Sequence, residues 1–202
     1  MLQLHPYFPG KIESNLTTHI IQRNYFTDTD IHQVESYVHA NCRFEKGQTG
    51  TAELGEVYTE GTNNRDIAYI TPTQESKWIY DKLFPLVYSV NESNYKFDID
   101  IVTDLIHYVV YPTNGGHLDW HMDIGSHSVN KRKLAVVVTL SNRDEYTGGE
   151  FELLLGGEEA IRPELNRGDV IIFPTYLLHR VKPIINGTRK VIVFWVGGRP
   201  FR

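Results

Sequence analysis

The chain of 202 residues is 41% hydrophobic and 22% charged, enough apolar material for one well-buried core, and its net charge of -5 excludes the basic footprint that a sequence-independent nucleic-acid surface needs. A single cysteine, Cys42, excludes an intrachain disulfide, and no apolar run reaches membrane-spanning length. With neither a charged n-region nor an apolar h-region in MLQLHPYFPG, the expectation is a soluble cytoplasmic protein with no nucleic-acid and no membrane partner.

After a short extended start over 18–22, the run Phe26-Thr-Asp-Thr-Asp-Ile31 predicts a helix entry. Thr27 is the N-cap, acidic residues fill the first turn, and Phe26 is placed to staple against Ile31. Ile31, Val34 and Val38 then line one face to about Ala40. Residues 44–66, rich in Gly, Thr and Glu without a sustained period, read as a long mobile loop and a candidate substrate lid. Thr71-Pro72 opens a second predicted helix, with Gln74 at the capping-box position, Trp78, Ile79, Leu83, Leu86, Val87 and Val90 on its buried stripe, and a kink at Pro85. From Tyr95 the texture turns to β, with strands expected near 95–100, 103–111, 121–123, 133–140, 150–155, 159–163, 169–173, 179–184 and 189–196. Two helices followed by many short strands give an α+β order: a double-stranded β-helix, or jelly roll, with N-terminal helices packed on one face. One domain over 1–202 is expected, with helical support to about 94 and the jelly roll from about 95 onward.

The chemistry concentrates in Tyr111-Pro-Thr-Asn-Gly-Gly-His-Leu-Asp-Trp-His-Met-Asp123. Alternate side chains of a strand leave one face, so His121 and Asp123 would converge on one point. With His179 as a third ligand they make the two-His-one-carboxylate triad that binds non-haem Fe(II) and leaves positions open for a co-substrate and O2. A second His-x-Asp, His117-Leu-Asp119, competes for the same role. His5, His19, His32, His39, His107 and His127 lack a carboxylate at matching spacing and read as surface or satisfied core residues.

The order His121, Asp123, His179 and then Arg189, ten residues on, resembles the 2-oxoglutarate- and Fe(II)-dependent oxygenases, most closely the prolyl-hydroxylase-like branch and the related small bacterial and phage hydroxylases. Tyr111-Pro-Thr-Asn-Gly115, Thr147-Gly-Gly-Glu150, Gly168-Asp-Val-Ile-Ile-Phe-Pro174, His179-Arg-Val-Lys-Pro183 and Gly187-Thr-Arg-Lys-Val-Ile-Val-Phe-Trp195 carry the resemblance from about Tyr95 onward. The resemblance favours His121-x-Asp123 over the competing pair, because the family's Tyr lies about ten positions before its ligating His. It implies Fe(II), 2-oxoglutarate and O2, with ascorbate as a candidate reductant. It also implies hydroxylation of a C–H bond with release of succinate and CO2. Arg189 would clamp the distal carboxylate of 2-oxoglutarate through its planar fork. Tyr111 could donate to the same carboxylate, although a core aromatic reads nearly as well. Trp195 is pocket wall or plain core. Thr139 stands near where some relatives carry a second co-substrate-binding Tyr. The demethylase branch has a second Arg where this chain has Trp195, which disfavours base demethylation.

The resemblance implies a prolyl residue of a protein or peptide as substrate, with a free amino acid or small metabolite as the alternative. A metal-bound or metal-free binding module would explain the β-architecture without activity, and a zinc hydrolase would keep the ligands but leave Arg189 without work. Register offers a test. A three-residue loop around Asn186-Gly187 would pair 185 with 189, place His179 opposite Trp195, and turn His179, Arg189 and Trp195 inward together.

Overall fold

Thr27 caps helix α1 (Asp28–Asn41) as expected: its Oγ1 accepts from the Asp30 amide at 3.2 Å and its own amide donates to Asp30 Oδ2 at 2.8 Å. This reciprocal box is worth about 1 kcal/mol. The computed structural model describes residues 17–47, 63–156 and 159–201. Ile31, Val34 and Val38 form the buried stripe of α1, and the Phe26 amide is tied to the Gly168 carbonyl at 3.0 Å. Gly168 has φ +85°, and an added Cβ would lie 2.2 Å from the Phe26 oxygen, so the close approach of chain to sheet requires glycine there.

Helix α2 (Lys77–Val90) begins five residues later than Thr71-Pro72 suggests. Thr73 and Ser76 bond each other's amides through their hydroxyls, which fixes a turn before the helix and displaces its start. The apolar stripe is as expected except that Tyr80 is buried in it and Trp78 only half-buried. Helical bonding continues through Pro85 and ends in a π-turn over Asn91–Tyr95, where a strand was expected from 95.

Before α2 lie β1 (Ile20–Gln22), β2 (Phe44–Lys46), β3 (Asn63–Asn64) and β4 (Asp66–Ile70). After it come β5 (Ile101–Val102), β6 (Ile106–Tyr111), β7 (His117–His121), β8 (Arg132–Thr139), β9 (Tyr146–Gly148) and β10 (Phe151–Leu154). The chain continues with β11 (Val170–Pro174), β12 (Leu178–Val181), β13 (Ile184–Gly187) and β14 (Arg189–Gly197). Among the described residues the major sheet has eight strands ordered β1-β11-β8-β14-β6-β4-β2, with β5 on β14; the minor sheet is β10-β12-β7-β3, and β13 pairs β9.

The first 94 residues are therefore not only helical support, since they supply strands to both sheets. The loop expected over 44–66 carries strands at both ends; 48–62, and with them most of the suggested lid, lie outside the described residues, as does His5. The expected strand at 159–163 reduces to one bridge between Ile161 and Leu153.

Alternation along β8 and β14 divides the interior. Val136, Val138, Ile192 and Phe194 face α1 and α2, while Ala135, Val137, Val191 and Trp195 face the minor sheet. The first layer anchors the helices, and the second encloses the site. No helix among the described residues is long and apolar enough to cross a membrane.

Candidate metal centre

β7 and β12 are antiparallel neighbours, with His121 directly opposite His179 and both imidazoles turned into the space between the sheets. Their ring centroids stand 4.1 Å apart. Asp123 does not share a strand face with His121, as the alternation argument expected, because β7 ends at His121 and Asp123 sits in the bend beyond it. Its side chain reaches the same point from there: Oδ1 is 3.6 Å from His121 Nε2 and Oδ2 is 3.3 Å from His179 Nε2. The three donor atoms all lie within 4.8 Å of one another, the one such cluster among the described residues. The competing His117-Leu-Asp119 pair does not join it; His117 Nδ1 bonds the Gly115 carbonyl at 2.7 Å, and Asp119 is exposed.

The tautomers suit ligation. His121 Nδ1 lies 2.7 Å from the Asp119 carbonyl and His179 Nδ1 lies 2.9 Å from the Leu177 carbonyl. A carbonyl only accepts, so each Nδ1 carries a hydrogen, and Nε2, the ring nitrogen nearest Asp123, is the one a metal would take in place of a proton. Burial pushes the Asp123 carboxyl up, but the charge and hydrogen bonds that His179 and His121 offer outweigh it and hold the group well below the usual carboxylate range. A charged carboxylate facing two imidazole nitrogens in a dry site demands positive charge, supplied by protons or by a cation. Two imidazoles and one carboxylate suit a divalent transition metal. Phe173 packs its edge on His179, with centroids 4.9 Å apart, and Phe151 stands at 5.9 Å.

The expected hairpin between 179–184 and 189–196 does not form. β12 pairs β10 and β7 in the minor sheet, while β14 pairs β6 and β8 in the major one. The Pro183 carbonyl and the residues after it leave the minor sheet to pair β13 with β9, which separates the neighbouring segments. His179 therefore does not oppose Trp195, which pairs with Ala135. Arg189 nevertheless points inward, because 189, 191, 193 and 195 share the face of β14 turned toward the minor sheet.

Arg189 is 2% exposed and pairs across the strands with Tyr111, its guanidinium carbon 5.3 Å from that ring. Its Nη1 has no hydrogen-bond partner among the described residues, and the same holds for Thr139 Oγ1 and Trp195 Nε1. Thr139 opposite Val191 and Trp195 opposite Ala135 both lie in the layer between the sheets. One cavity is bordered by the three candidate ligands together with Arg189, Tyr111 and Trp195.

His107 borders that cavity too, as a half-buried ring outside the donor cluster. Tyr111 was already a candidate inward residue, and a period of two along β6 puts Val109 and His107 on its face, so alternation was the available signal. Its ring stands edge-on to Tyr69 and Trp195 at 4.8 and 5.0 Å. Burial, aided by Arg132 and Arg65 and opposed by Asp104 and Asp123, pushes its pKa down to about 4. The unfolded chain takes up this proton as pH falls below about 6.5, whereas the folded chain resists until about 4, so stability is complete above that window and declines through it. His107→Phe should lose less stability than wild type between about pH 7 and pH 5 in urea unfolding of the metal-free protein, because the group that titrates only when unfolded is gone. Parallel pH dependences would contradict this.

Fold and site together define a jelly roll with a His-Asp-His centre between its sheets. Residues 106–197 match the model of the 2OG-Fe(II) oxygenase superfamily. Curated relatives include a PKHD-type hydroxylase of Synechococcus sp. (strain CC9605), 34% identical over 82 residues; the match covers 41% of this chain and 37% of that protein's length. Similar solved structures include a prolyl hydroxylase from Trichoplax adhaerens in complex with a hypoxia inducible factor oxygen degradation domain peptide fragment. Its TM-score is 0.74 at 18% identity, covering 91% of this chain and 84% of that one. A prolyl-4-hydroxylase of Pseudomonas putida has a TM-score of 0.67 at 16% identity, covering 91% and 94%. At these identities the structural likeness is one of fold.

Proposed function

We propose that this chain is an Fe(II)- and 2-oxoglutarate-dependent hydroxylase in which His121, Asp123 and His179 hold the metal and Arg189 receives the distal carboxylate of 2-oxoglutarate. The observation that carries the reading is a buried guanidinium, its Nη1 unpartnered among the described residues, on a side chain that borders the same cavity as three convergent donors. A buried cation without an anion is costly, and a dicarboxylate bound at the metal would reach it with the group it lacks. A binding module or a zinc hydrolase explains the ligands and leaves Arg189 without a role.

When bound, iron supplies the redox chemistry that couples O2 and 2-oxoglutarate decarboxylation to C–H hydroxylation, with release of succinate and CO2. The protein supplies the rest. The two Nδ1 hydrogen bonds keep Nε2 available, Arg189 would hold the distal carboxylate of the co-substrate, Tyr111 lies against the guanidinium, and Phe151, Phe173 and Trp195 line the layer around the centre with apolar surface. Thr139 Oγ1 is a further polar atom in the same layer, a minor candidate for the co-substrate.

For the substrate we favour a prolyl residue in a protein or peptide. The support is the Tyr111-Pro-Thr-Asn-Gly115 and His-x-Asp motifs together with the likeness to prolyl and PKHD-type hydroxylases.

The test is an anaerobic titration of metal-free protein with Fe(II), with 2-oxoglutarate and with both, followed by O2 and a succinate assay over proline-containing peptides and free amino acids. A visible charge-transfer band that requires both additions, and peptide-stimulated succinate, are expected. A band and succinate stimulated only by a free amino acid would replace the peptide substrate. No band and no succinate would leave the binding-module reading in its place.

A further inference from the structure

Asp123 lies beyond the end of β7, so no ladder holds the residue that must bring its carboxylate to the two imidazoles. Two backbone hydrogen bonds do so instead. The Asp123 amide donates to the Thr175 carbonyl at 3.0 Å, and the Asp123 carbonyl accepts from Arg132 Nη1 at 3.2 Å. Arg132 is itself locked. Its Nε and Nη2 form a two-pronged pair with Asp104 at 2.8 and 2.7 Å, and its guanidinium carbon lies 3.9 Å from the centre of the Trp195 ring. Thr103 Oγ1 also donates to Asp104 at 2.7 Å. Thr175, the other anchor, bonds the Arg132 carbonyl through its hydroxyl at 2.9 Å. Both grips on Asp123 thus return to Arg132, one through its side chain and one through its backbone.

We propose that the Arg132–Asp104 pair is a positioning device for Asp123 that sets the metal affinity of the centre. The inference rests on the reading of His121, Asp123 and His179 as a metal site. Neither Arg132 nor Asp104 has a side-chain atom in the donor cluster. They act through the backbone of Asp123 and through Trp195, which borders the cavity. The fork matters as much as the charge: a planar guanidinium can bond Asp104 with one edge, turn Nη1 to the Asp123 carbonyl, and still offer its face to an indole. Lysine has three donors but no planar fork or flat face, so it cannot reproduce the two-pronged bond to Asp104 and the stacking together. Nor is the pair an ordinary exposed ion pair, since the side chains of Arg132 and Asp104 are 12% and 25% exposed. Burial pushes the Asp104 carboxyl up, but Arg132 more than offsets it and keeps the group below its ordinary range, so the pair is charged at neutral pH.

The experiment is a Co(II) titration of the metal-free full chain, read by visible d–d absorption, on wild type, Arg132→Met, Arg132→Lys and Asp104→Asn, with near-ultraviolet circular dichroism and thermal melts on each. Wild type should bind Co(II). Loss of groups that orient metal ligands weakens metal binding by about 10–100-fold, so both Arg132 variants should fall in that range and Asp104→Asn should fall in the same direction by less. Arg132→Lys separates fork from charge, and it and Asp104→Asn carry the test if Arg132→Met does not fold. Variants that fold and melt lower while binding Co(II) as tightly as wild type would assign the pair to general stability and overturn the inference. Failure of wild type itself to bind Co(II) would overturn the metal-site reading instead.

Discussion

Asp123→Ala is expected to abolish measurable Fe(II) or Co(II) binding and, with it, succinate formation. The carboxylate is the only negative charge in the donor cluster, and it is 9% exposed between two imidazoles that turn Nε2 toward it. Without it the metal would sit on two neutral nitrogens in an apolar layer. Removing one member of a buried charged set costs about 3–5 kcal/mol, or on the order of a hundred- to a few-thousandfold in affinity. Asp123→Asn keeps the shape and the backbone grip of Arg132 while losing the charge, so it should come close to the alanine variant if charge is the operative property. Asp119→Ala is the matched control, because its side chain is exposed and outside the cluster; it should bind metal like wild type. Metal affinity that survives in Asp123→Asn and fails in Asp119→Ala would hand the site to the other His-x-Asp pair.

The contrast between these two pairs shows what could be read from the residues alone. Helix α1 was legible because its determinants are local: a cap, an acid three residues on, and an apolar stripe. The centre was legible through residue type and order, although the geometric reason given for it does not hold, since Asp123 lies past the strand. Arg189 does face inward, but the hairpin register offered for it fails; alternation along β14, which holds whichever strand pairs with it, is what turns 189, 191, 193 and 195 to one side. Strand partnership was not legible. Segments adjacent in sequence suggest a hairpin, yet β12 and β14 belong to different sheets and β14 finds its partners in β6 and β8, far away in the chain. Short edge strands such as β2, with all three residues exposed, carry no apolar period to detect. The Arg132–Asp104 pair is invisible for a similar reason: its members are 28 residues apart, and nothing local marks either as a partner of the other.

Arg189 separates stability from function. Arg189→Met should raise the 2-oxoglutarate concentration needed for half-maximal turnover by about 30-fold to more than a thousandfold, the usual cost of truncating a buried charged hydrogen-bonding group, while Fe(II) binding without 2-oxoglutarate stays near wild type. Arg189→Lys should fall between, because one ammonium replaces a fork. The same change should leave the ligand-free protein as stable as wild type or more so. The guanidinium is 2% exposed with Nη1 unpartnered among the described residues, so without co-substrate the protein bears the cost of a buried charge that methionine removes at similar volume. Adding 2-oxoglutarate with a redox-inert divalent metal should then reverse the order: wild type gains melting temperature by mass action, and Arg189→Met gains little. A structural Arg189 predicts the opposite pattern, with a lower melting temperature for the metal-free variant and an unchanged 2-oxoglutarate requirement. One thermal series with and without co-substrate therefore decides whether this buried cation holds the fold together or waits for a carboxylate.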